Sequence, residues 1–295
     1  MLGGRGLKTQ ERFTVAHHLG VAYFRPWDIT IEGWSGQQTD AAAARRAGFA
    51  LVLTVRHSGS SGPPAVPSAP PRDLETYRRI LGDVLDAYHP EVLCVEHEEN
   101  SSASYTGTPE EYAAELKAAC AIAHGKGVAC ANGGLTSRLV TMLIWDRYRS
   151  AGDQNGAEAF LARAAGRERQ EMASPSSDQA IARGKALLAL YRDVGLDYVN
   201  FHWYGADPEV LSEAVEYLRS STGLQPMTNE IGQSDTRPST VQALLQRVLD
   251  LGLPYAVWYS VDRRSRALQY PDGTLRETGR AFKAFIERTF ARRRS

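Results

Sequence analysis

With 295 residues, 43% of them hydrophobic and 23% charged, the chain is long enough to bury one large core and reads as a single domain over residues 1–295. Its 34 basic and 34 acidic side chains cancel to a formal net charge of zero, which argues against nucleic acid or an anionic membrane as a partner and leaves polar or neutral small molecules. No apolar run approaches the roughly 18 residues a bilayer span needs, and "MLGGRGLKTQ" lacks the apolar core of a signal peptide.

In chain order, "LKTQERFTVAHHLG" reads as a helix, and after it short apolar runs alternate with longer segments of helical period, the pattern of a parallel α/β sheet. The expected strands are "VAYFRPW", "FALVLTVRH", "EVLCVEHE", "GVACANGG", "DYVNFHWYG", "QPMTNEIG" and "PYAVWYSVD". Gly20, Gly48, Gly127, Gly195, Gly223 and Gly252 stand where helices should end. This repeat favours a (β/α)8 TIM barrel over an open doubly wound sheet, and no GxGxxG follows a strand to suggest a dinucleotide. If the seven runs are barrel strands two to eight, strand one falls within "MLGGRG". Glycine makes a poor strand, so that first strand is expected to be truncated or irregular. The stretch from Ser137 to Gly195 is too long for one crossover helix. It reads as a helical excursion after strand five, broken at "MASPSS", which would rise beside the barrel mouth, as would the proline-rich loop "PPAVPSAPPRD".

Cys94, Cys120 and Cys130 are odd in number, lack CxxC spacing and lie in apolar segments, so all three are expected to be reduced core residues. A cytoplasmic location is then the default, with secretion open should the N-terminus be truncated, and the oligomeric state is not fixed by the sequence. His17, His18, His89 and His124 lie in or beside helices and read as structural.

In such a barrel the C-terminal ends of the strands converge on one mouth. These ends carry Arg25 and Trp27, Arg56 and His57, Glu96 to Asn100, Asn132, His202 to Tyr204, Asn229 and Glu230, and Trp258, Tyr259 and Asp262. Two carboxylates stand on opposite strands, Glu230 after strand seven and Glu98 after strand four, although Glu96 and Glu99 compete with Glu98 because sequence does not fix strand parity. A facing pair of acids is what glycosidic bond cleavage requires. Trp27, Trp203, Tyr204 and Trp258 would offer flat faces on which sugar rings stack. No histidine pair has metal-ligand spacing, and neither a metal nor an organic cofactor is expected.

The motifs "YFRPW", "RHS", "VEHEEN", "HWY", "TNEIG" and "VWYS" together resemble the retaining glycoside hydrolases of clan A, the 4/7 superfamily of cellulases, mannanases and xylosidases. The resemblance runs from about residue 19 onward and implies a glycosidase with an oligosaccharide or glycoside as substrate. It implies Glu98 as acid/base, Glu230 as nucleophile, Arg25 as the cation that keeps Glu230 ionised, and His57, His202, Tyr204 and Trp258 as the sugar-binding shell. Such a division of labour requires the Glu98 pKa to be raised. One departure is His97, where the family has an asparagine that donates to the sugar 2-hydroxyl. It leaves an alternative, a barrel that binds glycans with impaired catalysis; a barrel acting on another small molecule is the third reading.

Overall fold

A computed structural model of the chain describes residues 7–36, 40–60, 65–164, 175–261 and 268–290. The segment "MLGGRG", Asp262, the first half of "MASPSS" and the start of the proline-rich loop lie outside the described residues. The strands are β1 (Tyr23–Phe24), β2 (Ile29–Thr30), β3 (Ala50–Arg56), β4 (Val92–Val95), β5 (Ala129–Asn132), β6 (Tyr198–Trp203), β7 (Gln225–Ile231) and β8 (Ala256–Trp258). All pair in parallel, in the order β1-β3-β4-β5-β6-β7-β8, with β2 against the end of β3. The chain is a TIM-type α/β barrel, nearly closed.

"VAYFRPW" forms a strand for only two of its residues. Pro26 has no N–H to give a ladder, and pairing with β3 resumes only at Ile29. The break leaves Arg25 and Asp28 off the ladder, with side chains free for other work. Among the described residues no ladder joins β8 to β1, but the rings of Tyr23 and Tyr255 meet edge-on at 5.3 Å across that seam.

Helices α1 (Thr9–His18), α2 (Asp40–Arg46), α3 (Leu74–Tyr88), α4 (Pro109–Gly125), α8 (Pro208–Thr222), α9 (Pro238–Asp250) and α10 (Glu277–Phe290) surround the strands. Their starts are written locally: the Asp73 carboxylate accepts from the N–H groups of Glu75 and Thr76, and Thr108 with Glu111 forms a capping box ahead of Pro109. Their ends follow suit, since the six glycines expected to stop helices all have positive φ, from 65° to 87°. The excursion between β5 and β6 is α5 (Ser137–Ser150), α6 (Gln154–Ala164), α7 (Pro175–Leu190) and a 3₁₀ turn (Tyr191–Asp193).

Strand alternation sorts the core into two layers. Val52, Val92, Cys94, Ala131, Met227 and Val257 pack with one another inside the barrel, whereas Leu51, Leu53, Leu93, Val95, Val199, Phe201 and Trp203 pack with the helices. The cysteine expectation is corrected here. Cys120 in the last turns of α4 and Cys130 on β5 form a disulfide with a Cα–Cα separation of 5.3 Å, while Cys94 is free and buried. The tight return from α4 to β5 brings the two together, a proximity that residue spacing alone does not display. No helix among the described residues is long and apolar enough to cross a membrane.

Candidate active site

Glu230 owes its direction to a bulge. The β6–β7 register passes from Asn200↔Met227 to His202↔Glu230, two residues on β6 against three on β7, which turns Glu230 to the side of His202. There Glu230 Oε2 accepts from Arg25 Nη1 at 2.8 Å, and Oε1 accepts from the Tyr204 hydroxyl. Arg25 is itself fully enclosed. Its Nε donates to Thr54 Oγ1 at 3.1 Å, Nη1 also reaches the Asn229 carbonyl at 3.3 Å, and Nη2 meets Asp28 Oδ1 at 3.3 Å. Burial works against the Glu230 charge, but the charges of His202, Arg25 and His97 and the Tyr204 hydrogen bond outweigh it and bring the pKa down to about 2.

Arg25 also fixes His97. Nη2 lies 3.1 Å from His97 Nδ1, and a guanidinium only donates, so Nδ1 accepts and the neutral ring carries its proton on Nε2. Burial, and then the charges of Arg25 and His202, hold His97 below the ordinary histidine value against the pull of Asp28.

Across the mouth, Glu98 Oε1 lies 3.0 Å from His202 Nδ1, and His202 Nε2 lies 3.0 Å from Asn229 Oδ1. Both ring nitrogens face acceptors, which is the environment of an imidazolium. Burial pulls His202 down, but Glu230 and Glu98 together raise it above its ordinary value. The expected rise of the Glu98 pKa is therefore corrected. Burial does push Glu98 up, yet the hydrogen bond and charge of His202 prevail and its pKa is lowered. Between the two values the Glu98–His202 pair holds one proton, resting on the ring and one hydrogen bond from the carboxylate.

A ladder of amides steadies this wall. Asn132 Oδ1 accepts from the Asn200 N–H at 2.6 Å, and Asn200 Oδ1 accepts from the Asn229 N–H at 2.9 Å, so each strand is gripped by a side chain of the one before it. Gly134, at φ 112°, leaves room for His202: a Cβ there would stand 2.4 Å from Nε2.

The structure thus brings Arg25, His97, Glu98, His202, Tyr204 and Glu230 into one linked group. It does not bring Trp258 or His57 there. Val257 faces the barrel interior, so Trp258 faces outward and meets Phe282 of α10 edge-on at 5.6 Å. Its neighbour Tyr259 takes the inward place, edge-on to Tyr204 at 6.0 Å. Trp203 is outward for the same reason, and Trp27, 37% exposed, lies under the Arg12 guanidinium. The His57 ring lies 3.1 Å, at Nδ1, from the Ala69 carbonyl oxygen, in a cleft of about 520 Å³ shared with Glu32, Arg72 and Tyr77. Asn229 and Tyr259 stand among the expected strand-end residues, whereas Asp28, Thr54 and Gly134 are participants that residue type alone did not single out. The rivals Glu96 and Glu99 are fully buried beside the mouth.

His97, Glu98 and His202 bring ligand-type atoms within 4.8 Å of one another, a grouping able to hold a cation. His97 Nδ1 is engaged with Arg25, His202 Nε2 with Asn229 and His202 Nδ1 with Glu98, however, and the buried guanidinium opposes a second positive charge at the same place.

No protein-family model and no curated protein matches the sequence. Solved structures share its fold. A GH128 (subgroup II) endo-β-1,3-glucanase from Sorangium cellulosum aligns at a TM-score of 0.55 and 18% identity, over 96% of this chain and 97% of that one. A GH128 (subgroup VII) oligosaccharide-binding protein from Trichoderma gamsii aligns at 0.53 and 11% identity, over 97% and 93%. A hyperthermophilic β-glucosidase from Pyrococcus furiosus aligns at 0.57 and 10% identity, over 95% and 83%. At these identities the likeness is one of fold.

Proposed function

We propose that the chain is a retaining β-glycosidase of the clan A type. The observation that carries this reading is the contrast between two acids at one mouth: Glu230 is clamped as a carboxylate by Arg25 and Tyr204, while Glu98 shares a proton with His202. Glu230 attacks the anomeric carbon as Glu98, drawing the shared proton, protonates the departing glycosidic oxygen. Glu98, now a base, activates the water that releases the sugar from Glu230. His97 offers its Nε2–H to the sugar 2-hydroxyl in place of the asparagine amide usual at that position, and because Arg25 fixes the tautomer, the donor is in place before substrate arrives.

β-1,3-linked glucosides are the first substrates to try, since several structures sharing the fold are β-1,3-glucanases. The test is release of reducing ends from laminari-oligosaccharides alongside aryl β-glucosides and β-xylosides. Product formation supports the enzyme. Binding without product would instead support a glycan-binding barrel, a reading favoured by His97 and by the oligosaccharide-binding protein of the same fold.

A further inference from the structure

The segment Glu96–Glu99 places four ionisable residues in succession after a buried strand, and only His97 and Glu98 belong to the linked group at the mouth. The other two point elsewhere and are 0% exposed. Glu96 Oε1 accepts from the His57 N–H at 2.6 Å and from Ser68 Oγ at 2.9 Å. Glu99 Oε1 accepts from Asn132 Nδ2 at 2.7 Å and from the Tyr191 hydroxyl, and the Glu99 carbonyl accepts from Arg183 Nη2 at 2.9 Å. Arg183 Nη2 also binds the Gly107 carbonyl at 2.7 Å, closing the loop that follows β4.

The backbone says why such tethers are needed. Glu96 has φ 68° and Glu98 φ 47°, left-handed values that non-glycine residues adopt at a cost. Backbone of this kind persists only where its surroundings over-determine it. Simple alternation past Val95 would put Glu96 on the side of Val92 and Cys94; the left-handed turn breaks the alternation.

We propose that Glu96 and Glu99 are positioning residues, two buried anchors that hold Glu98 in its left-handed conformation, and that α7 with its 3₁₀ turn serves through Arg183 and Tyr191 as the buttress of the second anchor. The excursion after β5 is thereby given a task beyond standing beside the barrel mouth. This rests on the reading of Glu98 as the acid/base.

The test separates geometry of the acid from general stability by changing the leaving group. In the first step the anomeric carbon–oxygen bond breaks, Glu230 forms the new bond, and the proton from Glu98 goes to the departing oxygen. A 2,4-dinitrophenolate leaves without that proton; a sugar alkoxide does not. Y191F, S68A and R183M are compared with wild type on 2,4-dinitrophenyl β-glucoside and on laminaribiose. A misplacement of about 1 Å costs about 100-fold, so kcat/KM on laminaribiose should fall roughly 10–100-fold in Y191F and R183M and less in S68A, where the His57 N–H remains. On the dinitrophenyl substrate it should stay within about 2-fold of wild type. Equal losses on both substrates, or none on either, overturn the tether. Should R183M fail to fold, Y191F alone decides. E98A is run in parallel: a leaving-group-selective loss there, absent from Y191F, refutes the anchors alone, whereas its absence from E98A refutes the assignment of Glu98 itself. A wild type silent on both substrates overturns both.

Discussion

Glu98 and Glu230 on one side, Glu96 and Glu115 on the other, show how the same side chain is put to opposite uses a few residues apart. The first two face cations: His202 bonds Glu98, and Arg25 bonds Glu230. Burial is offset, and both carboxylates lie below their ordinary pKa. The second two are neighbours between β4 and α4, where burial, and then the Glu96 charge, push Glu115 well up, and burial raises Glu96 to about 7. Tyr105 donates to Glu115 at 2.9 Å, and Arg56 stands 3.9 Å from Glu96. What sets the direction of each shift is the partner the acid meets, because burial opposes the charge in all four.

The largest way to break the comparison is at Glu230. E230Q keeps the shape and a hydrogen-bonding oxygen but removes the charge; kcat should fall on the order of 10⁴-fold or more, and the melting temperature should fall as well, because a folded pKa of about 2 means that the ionised carboxylate stabilises the fold. Hydrolysis of aryl β-glucosides at the wild-type rate by E230Q would dissolve the distinction between the two pairs.

A smaller effect tests the shared proton. Glu98 lies below 4.5 and His202 above 6.5, so the pair holds one proton throughout the interval between them, and the kcat/KM profile of wild type should keep its alkaline limb above 6.5. H202Q removes the cation that holds Glu98 down. The Glu98 pKa then rises, and the alkaline limb, now set by Glu98 alone, moves to lower pH. A limb that stays in place in H202Q would show that His202 is not the proton's partner.

The smallest effect is on the structural side. Glu115 has a folded pKa above its unfolded value of 4.5, so the stability it contributes is full below that pH and declines as the pH rises. E115Q cannot ionise. The fall in stability on going from pH 4.5 towards neutrality should therefore be shallower in E115Q than in wild type, measured by urea unfolding.

The same contrast explains what could be read in the sequence. The βα rhythm and the helix-ending glycines were legible because they depend on local chemistry, and Arg25, His97, Glu98, His202, Tyr204 and Glu230 all meet in the structure. Phase was harder. "AVWYS" is apolar or aromatic on both faces, so nothing in it says whether Trp258 or Tyr259 turns inward, and one residue of phase exchanges the two. At β7 a bulge supplies the phase that alternation would have denied to Glu230. Among Glu96, Glu98 and Glu99 the choice depends on left-handed turns and on partners as distant in sequence as Tyr191. The Cys120–Cys130 bond likewise depends on where α4 stops.

The most direct measurement is covalent. A 2-deoxy-2-fluoro-β-glucoside with a dinitrophenyl leaving group slows release of the sugar more than its capture, so a retaining enzyme accumulates the glycosyl ester. Digestion and mass spectrometry should place the added fluorosugar on Glu230, in the peptide containing "TNEIG". An active preparation that gains no adduct, or gains it on Glu98 or another residue, would contradict the account.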